Sequence, residues 1–492
     1  MTIDKVVLVN TMGYSDSDII KPGHNQLTLR FLEEGLLSAG FSNDDDDKIQ
    51  MFPLRATEKE HYAEDLEIIK GWFKIDEVEK SNIIFAVTAL TEHYHHFVDA
   101  VEHIRAAFPK STIIAGGAHF NRENIYKDGK KCKDPVDIAL EQNLADYVVV
   151  GNMEPFVKLV TKYGGVLPED IQLQGLYYLK NGKVVGKGKG RMPELKTIPA
   201  ITEDFDIEDK TVKYIHTNFD GRCRNACDFC IGSSNHNFDV ELALSSIEKL
   251  LDGITTTIIH LTDPNPFDPR AIGFYLTLTE ELDARGIDAS FMTYMEPADL
   301  VEETYFNHLM TWFAEYNFMS FFVGRDAIDE NTAKKIGRRH RGKLRKQEFL
   351  DTEKEALTRF INELNHEKFH LNKYEIVLSY TFSPFGNYDS TLALINEAEE
   401  YHNMSTDKVE VKSSIGILTP FPGTRIRAKY AQQIKDPEKF KDHSTARNAW
   451  DNSFGRQSKF LNYAGETIRL FDRISSTYFS SLRKDLSRAY KS

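Results

Sequence analysis

Short unbroken apolar runs recur along this chain and constrain its fold more than any other feature. "DKVVLVN" (4–10), "KIQMFPL" (48–54), "NIIFAVTAL" (82–90), "STIIAGGAH" (111–119) and "ADYVVVGN" (145–152) are of this kind. A strand buried on both faces reads as such a run, without the polar alternation of a half-exposed one. Helical patterns separate the runs, from Asn25 to Ala39 with Gly40 as a stop, and over His96–Phe108. This alternation through about residue 160 predicts an α/β fold with a doubly wound parallel sheet.

Alternation resumes at "TVKYIHTN" (211–218), with further strands expected at 256–262, 288–294, 318–324, 374–381 and 409–417. Between the two stretches, "QLQGLYYLKNGKVVGKGKG" (172–190) predicts a hairpin turning at Asn181-Gly182. The following "RMPELKTIPAITEDFD" has prolines and no period, and reads as a linker. Residues 426–492 look mainly helical. The expected domains are therefore 1–165, a hairpin and linker over 166–210, a second α/β domain over 211–425, and a helical extension over 426–492.

A chain of 492 residues is too long for one ordinary core, which fits this division. Its 41% hydrophobic and 28% charged residues are the balance of a soluble globular protein. No apolar run reaches the roughly 18–20 residues of a spanning helix. The start, "MTIDKVVLVN", lacks the basic and apolar regions of a secretory signal, so the expected compartment is the cytoplasm. A formal charge of −14 argues against broad contact with nucleic acid or an anionic membrane. Four cysteines in this length are no disulfide framework.

Three of the four stand in "DGRCRNACDFC" (220–230), as Cys223, Cys227 and Cys230 with the spacing Cys-x3-Cys-x2-Cys. Thiolates are ligands for zinc or iron–sulfur clusters. A structural zinc takes four protein ligands, and the nearest candidate for the fourth is His236. Three free buried cysteines fit the tight clustering less well. A four-iron, four-sulfur (4Fe-4S) cluster on three thiolates leaves one iron open to a substrate or cofactor. The cysteines follow an expected strand, so they fall on the loop at its carboxyl end, where α/β barrels place their chemistry. Phe229 lies between the second and third, a flat side chain able to stack on an adenine.

Spacing, strand context and aromatic together resemble the radical S-adenosylmethionine superfamily. "HLTDPNPFDP" (260–269) resembles a "DDNF" stretch in one branch of it, which implies that Asp263 and Asn265 hold the amino group of S-adenosylmethionine. From the residues alone, the same stretch is also a proline-rich turn with a helix cap. "FFVGRDA" (321–327) stands where that branch often has a ribose contact in Gly-x-Glu-Ser, with Asp326 replacing the glutamate one methylene shorter. "TPFPGT" (419–424) resembles the Pro-Gly turn that closes the sixth strand.

The N-terminal half resembles cobalamin-binding domains through "IIAGGAHFN" and "ADYVVVGNMEPF". The implied cobalamin contacts are Thr88, Thr91, Gly116, Gly117, His119, Gly151 and Glu154. Asn152 and Met153 depart from the usual pattern, and Met153 is expected to narrow the pocket. The Asp-x-His-x-x-Gly motif that supplies an axial histidine is absent, and a domain that binds no cofactor is the other reading.

Over about residues 1–425 the resemblance implies a cobalamin-binding-like Rossmann domain followed by a partial (β/α)6 TIM-like barrel. The cofactors it implies are a 4Fe-4S cluster, S-adenosylmethionine and cobalamin. The implied activity is hydrogen abstraction by a 5′-deoxyadenosyl radical, leading to C-methylation of a natural-product or peptide substrate. An external one-electron reductant of flavodoxin or ferredoxin type would be the partner. A non-methylating radical enzyme (epimerase, cyclase or ring-rearranging) and a metal-stabilised binding module remain alternatives.

Other features carry less. "KKIGRRHRGKLRK" (334–346) has eight lysines and arginines, and reads as a solvated helix face or a site for an acidic group. "TEHYHHF" (91–97) reads as packing near a ligand pocket, "DDDDK" (44–48) as a solvated loop, and Cys132 in "DGKKCKDP" as a polar-loop residue with no assigned role.

Overall fold

In the computed structural model the apolar runs become strands. The structure describes residues 3, 5–11, 22–41, 48–53, 82–89, 94–169, 171–196, 200–207, 210–215, 223, 225–230, 240–250, 256–261, 265–268, 271–366, 369, 371, 373–418, 420–434, 456–457, 459–461, 463–464 and 476–491. The chain divides into two units, one of residues 1–201, 421–423 and 427–445, the other of 202–420, 424–426 and 446–492. The "DDDDK" aspartates fall outside the described residues.

The first unit is built on β1 (Lys5–Asn10), β2 (Ile49–Pro53), β3 (Ile83–Thr88), β4 (Thr112–Gly116), a short ribbon of β5 (Tyr126–Lys127) and β6 (Lys130–Lys131), and then β7 (Tyr147–Val149), β8 (Leu176–Lys180) and β9 (Lys183–Gly186). Its main sheet runs β2-β1-β3-β4-β7-β8-β9. The pairs from β2 to β7 are parallel, and β8 and β9 join antiparallel. Every residue of β3 is buried, as the unbroken run required.

Strand order reverses between β1 and β3, so the sheet is doubly wound with a switch point there. Val7 and Val9 share a core with Phe97, Val101 and Ile104 of the helix Tyr94–Ala107. Val6 and Leu8, equally buried, must face the other way. On that side the helix Pro22–Ser38 packs on β1 and on the helix Glu154–Tyr163. The expected start at Asn25 was three residues late.

Two expectations about the join are corrected. The hairpin, expected to fall outside the first domain in a segment over 166–210, belongs to the first sheet: β8 pairs with β7 and extends it. It is held there because the main sheet would otherwise end on β7 with unpaired backbone groups. The stretch read as linker contains a strand, β10 (Ala200–Ile207). Its alternating "AITEDFDI" pattern was masked by the neighbouring prolines. Of the C-terminal extension, residues 427–445 belong to the first unit. Arg427 there is fully buried and pairs with buried Glu123 at 2.9 Å. Where described, 456–491 is helical, ending in the helix Ser476–Lys491.

The second unit continues with β11 (Lys210–Ile215), β12 (Thr256–Leu261), β13 (Asp288–Met295), β14 (Phe318–Gly324), the two-residue strands β15 (Arg339–His340) and β16 (Lys343–Leu344), β17 (Tyr374–Phe382) and β18 (Val409–Ile417). Its sheet runs β10-β11-β12-β13-β14-β17-β18, parallel from β11 onward. Apart from the separate β15–β16 ribbon, spatial neighbours in this sheet are chain neighbours, a one-way winding like that found in barrel walls. In β17, Tyr374, Ile376, Leu378, Tyr380 and Phe382 are buried and the residues between them are not. One face therefore packs on helices, and the other is left half-open.

Gly175 and Gly182 separate two kinds of glycine in the edge hairpin. Gly182, with φ +70°, has open space around it, whereas a Cβ on Gly175, with φ +87°, would lie 2.1 Å from the Gly190 nitrogen. Gly182→Ala should cost about 1–2 kcal/mol, the penalty of left-handed backbone alone. Gly175→Ala should cost more than about 3 kcal/mol, because backbone must move. Chemical denaturation of the two variants checks this, and equal losses would contradict the packing described.

Candidate functional site

The cysteines follow β11 at its carboxyl end, with residues 216–222 outside the described set. Cys223 and Cys227 are half-buried and Cys230 is exposed. Burial pushes the Cys223 thiol up to about 12, and the nearby Glu296, Cys227 and Cys230 add to this. Burial also raises Cys227, against the opposing charge of Arg338. Cys227 and Cys230 thus lie within electrostatic reach of Cys223, and ionising the half-buried Cys223 and Cys227 calls for a compensating positive charge, which a bound metal supplies. Among the described residues, no three Cys, His, Asp or Glu groups converge as ligands of a single ion. His236 lies outside those residues.

Against the cysteine loop lies the basic segment 334–346, and its expected solvated helix face is corrected. The helix Glu330–Ile336, capped by the Asp329 carboxylate on the Thr332 N–H, stops at Gly337 with φ +68°. The chain then turns back through Arg341 and Gly342, both at positive φ, as the β15–β16 hairpin. The Asp228 N–H donates to the Gly337 carbonyl at 3.1 Å. The Arg339 N–H donates to the Cys227 sulfur at 3.4 Å, and the Arg341 N–H to Asn225 Oδ1 at 3.1 Å. Lys334, Arg341, Lys343 and Lys346 are exposed, but Arg338 and Arg345 are buried. The two glycines inside the basic run were the legible sign that it could not be one helix.

The buried arginines belong to a chain of shared ion pairs. Arg338 meets Asp326 at 2.5 Å and Glu296 at 2.7 Å, and Arg345 meets Glu296 at 2.8 Å and also Glu353. Arg325 then joins Glu353 at 3.3 Å to Glu397 at 2.9 Å. Burial works upward on Glu296, but Arg338 and Arg345 outweigh it and hold the carboxyl below its usual range. For Glu353 burial wins, and its pKa is raised.

The S-adenosylmethionine candidates are placed unevenly. Phe229 is half-buried, and no ring stacks on it among the described residues. Asp263 lies outside those residues. Asn265 stands just past β12, with its Oδ1 buried and unpartnered. Beside it, Asp299 in the turn Pro297–Leu300 after β13 also has a buried, unpartnered Oδ2. Burial, then Glu296, pushes the Asp299 carboxyl up to about 8, with the Asn265 amide opposing. Asp299 was missed; the acidic pair it forms with Glu296 in "MEPADL" was its only signal. Asp326 is already held on both oxygens, by Arg338 and by the Thr381 hydroxyl at 3.1 Å. On the half-open face, His260, Tyr294 and Phe322 form an aromatic row, with centroids 5.2 and 5.4 Å apart.

In the first unit, several cobalamin candidates are engaged by the fold itself. The Thr88 hydroxyl lies 3.2 Å from Asn10 Oδ1, to which it donates, rather than projecting as a free donor. A Cβ on Gly117 would lie 2.6 Å from the Ala89 carbonyl oxygen, and one on Gly151 would lie 2.9 Å from Lys189. These glycines admit neighbouring backbone or side chain of this chain. Gly116 differs, since its nearest neighbour would be Val149 Cβ at 3.9 Å. His119 is fully buried and stacks on Tyr94 at 4.2 Å. Glu154 begins its helix and pairs with Lys158 at 2.6 Å. Thr91 and His93 lie outside the described residues, while His95 and His96 lie in the first turn of Tyr94–Ala107. Met153 does not narrow a pocket: its sulfur and methyl fill the space above Gly35, at 3.1 and 3.0 Å from the Cβ that glycine lacks. Cys132 is buried with Ile125 and Ala431 rather than lying in a polar loop.

No protein-family model matches the sequence, and no curated protein does. Solved structures match by fold. The radical S-adenosylmethionine methyltransferase TsrM from Kitasatospora setae, with tryptophan substrate and the analogue aza-SAM bound, gives a TM-score of 0.59 at 15% identity, covering 88% of this chain and 76% of that one. A TsrM structure with cobalamin and a 4Fe-4S cluster bound gives 0.59 at 12% identity over 100% of both chains. Apo OxsB, a cobalamin-dependent S-adenosylmethionine radical enzyme, gives 0.61 at 15% identity, covering 99% of this chain and 71% of that one. The fold of this chain is therefore similar to that of the radical S-adenosylmethionine methyltransferase TsrM and of the cobalamin-dependent S-adenosylmethionine radical enzyme OxsB, as the sequence resemblance implied.

Proposed function

We propose that this chain is a radical S-adenosylmethionine enzyme. The observation that carries the reading is the cysteine loop: three thiols within electrostatic reach, on the carboxyl side of the first parallel barrel-type strand. A cluster takes one thiolate per iron, so its ligands need not converge as those of a single ion do. The Arg339 N–H aimed at Cys227 suits a thiolate acceptor. The orphaned oxygens of Asn265 and Asp299 suit an ammonium donor such as the amino group of S-adenosylmethionine.

When bound, the reduced cluster would supply one electron to S-adenosylmethionine, and the radical released would take hydrogen from a substrate carbon. The chain's own part is to hold and orient these groups and exclude water. Cys223, Cys227 and Cys230 would hold the cluster. Asn265, with Asp299, would fix the amino group, and Phe229 would cover the adenine. A one-electron carrier of flavodoxin or ferredoxin type would be the reductant, in a thiol-reducing compartment such as the cytoplasm.

For the carbon product, we favour methylation of a small-molecule or peptide substrate with cobalamin in the first unit. The open cradle at Gly116, at the carboxyl end of β4, supports it. The non-methylating reading is supported by Thr88, Gly117 and Gly151, whose contacts lie within the fold.

Three outcomes are expected. Anaerobically reconstituted protein should hold about four iron and four sulfide per chain, the content of one 4Fe-4S cluster. Changing Cys223, Cys227 and Cys230 together to alanine should remove both. Stoichiometric zinc, or iron retained in the triple variant, would instead favour a metal-stabilised binding module. Phe229→Ala should weaken S-adenosylmethionine binding by about 1–3 kcal/mol through lost burial and stacking. An unchanged dissociation constant would place the adenine elsewhere. Protein made with cobalamin supplied should retain about one corrin per chain after gel filtration, as a single crevice allows. Gly116→Leu should expel it while iron content stays constant. Wild-type protein free of corrin would leave the non-methylating enzyme.

A further inference from the structure

We propose that the segment Gly337–Arg345 is a positioning element that clamps the cysteine loop and, through its buried charges, sets the reduction potential of the cluster that loop would hold. This rests on the reading of the loop as a cluster site.

The clamp is continuous. Residues 225, 227 and 228 are each met by a backbone group of the segment, at 3.1, 3.4 and 3.1 Å. The fit leaves no slack at Gly337, where a Cβ would lie 2.2 Å from the Asp228 carboxyl carbon. The segment is itself fixed from behind by the ion pairs of Arg338 and Arg345. Stability alone is a poor reason for those pairs, since well-packed apolar side chains in their place are often as stable or more so.

Their position supplies a better one. The Arg339 N–H that reaches the Cys227 sulfur belongs to the residue directly after Arg338. Reducing a cluster adds one negative charge. A donor on a ligand sulfur and a buried cation beside it both favour the reduced state, and a buried carboxylate opposes it. Arg338 and Asp326, paired at 2.5 Å, therefore act on the potential with opposite signs.

Opposite signs give the test. Reconstituted protein is titrated potentiometrically without S-adenosylmethionine, following the reduced cluster by electron paramagnetic resonance. Arg338→Gln should make the potential more negative and Asp326→Asn more positive, while Arg338→Lys stays near wild type. A tenfold change in the reduction equilibrium corresponds to about 59 mV for one electron. If Arg338→Gln fails to fold, Asp326→Asn and the half-exposed Arg339→Gln carry the same contrast. Shifts of the same sign would mean mere disruption, and no shift in any cluster-loaded variant would remove the electrostatic role. Both results overturn the inference while leaving the cluster assignment intact. Wild-type protein that takes up no iron and sulfide would overturn the cluster reading itself, and the inference with it.

Discussion

The second unit depends on carboxylates that are each shared between two arginines. Glu296 bridges Arg338 and Arg345, and Glu353 bridges Arg345 and Arg325. Neither carboxylate is satisfied by one partner alone, and losing one partner of a buried pair typically costs about 3–5 kcal/mol. The chain of pairs starts at the ends of β13 and β14, passes through the helix Gln347–Leu364 and reaches the helix Tyr388–His402 at Glu397. The loops at the carboxyl ends of the strands are thereby fixed to the helical layer outside them.

This arrangement explains why the cysteine loop can be short of regular structure and still be placed. Its Asn225 amide, Cys227 sulfur and Asp228 N–H are met by backbone groups of the segment that starts at Gly337, and buried ion pairs secure that segment to the rest of the unit. The unpartnered oxygens of Asn265 and Asp299 occur at the same end of the sheet. Strain and unsatisfied groups collect where a ligand would complete them.

Much of the architecture was legible because a parallel strand buried on both faces announces itself locally. Runs such as "NIIFAVTAL" contained β3 whatever the rest of the chain did. The hairpin at Asn181-Gly182 was equally local, since both residues take the positive φ that this pair favours. What the hairpin joins was not legible, because edge pairing is decided by a distant strand. The site was readable where chemistry dictates spacing, as in the three cysteines. It was not readable where partners come from far along the chain: nothing near Arg338 and Arg345 suggested Glu296, 42 and 49 positions away. The glycines at 117 and 151 carry the same lesson, because a ligand and a neighbouring backbone demand the same residue.

The ion pair between Glu123 and Arg427 has a consequence for biosynthesis. The two are 304 positions apart, both buried, and both in the first unit. At about 5–20 residues per second, the carboxylate waits roughly 15–60 s after its own synthesis before its cation is made. During that interval the first sheet can form, but a dry environment around Glu123 cannot, since an unpaired buried charge is too costly. The N-terminal unit therefore finishes after most of the second unit has been translated, and no single cut in the chain separates the two as complete pieces.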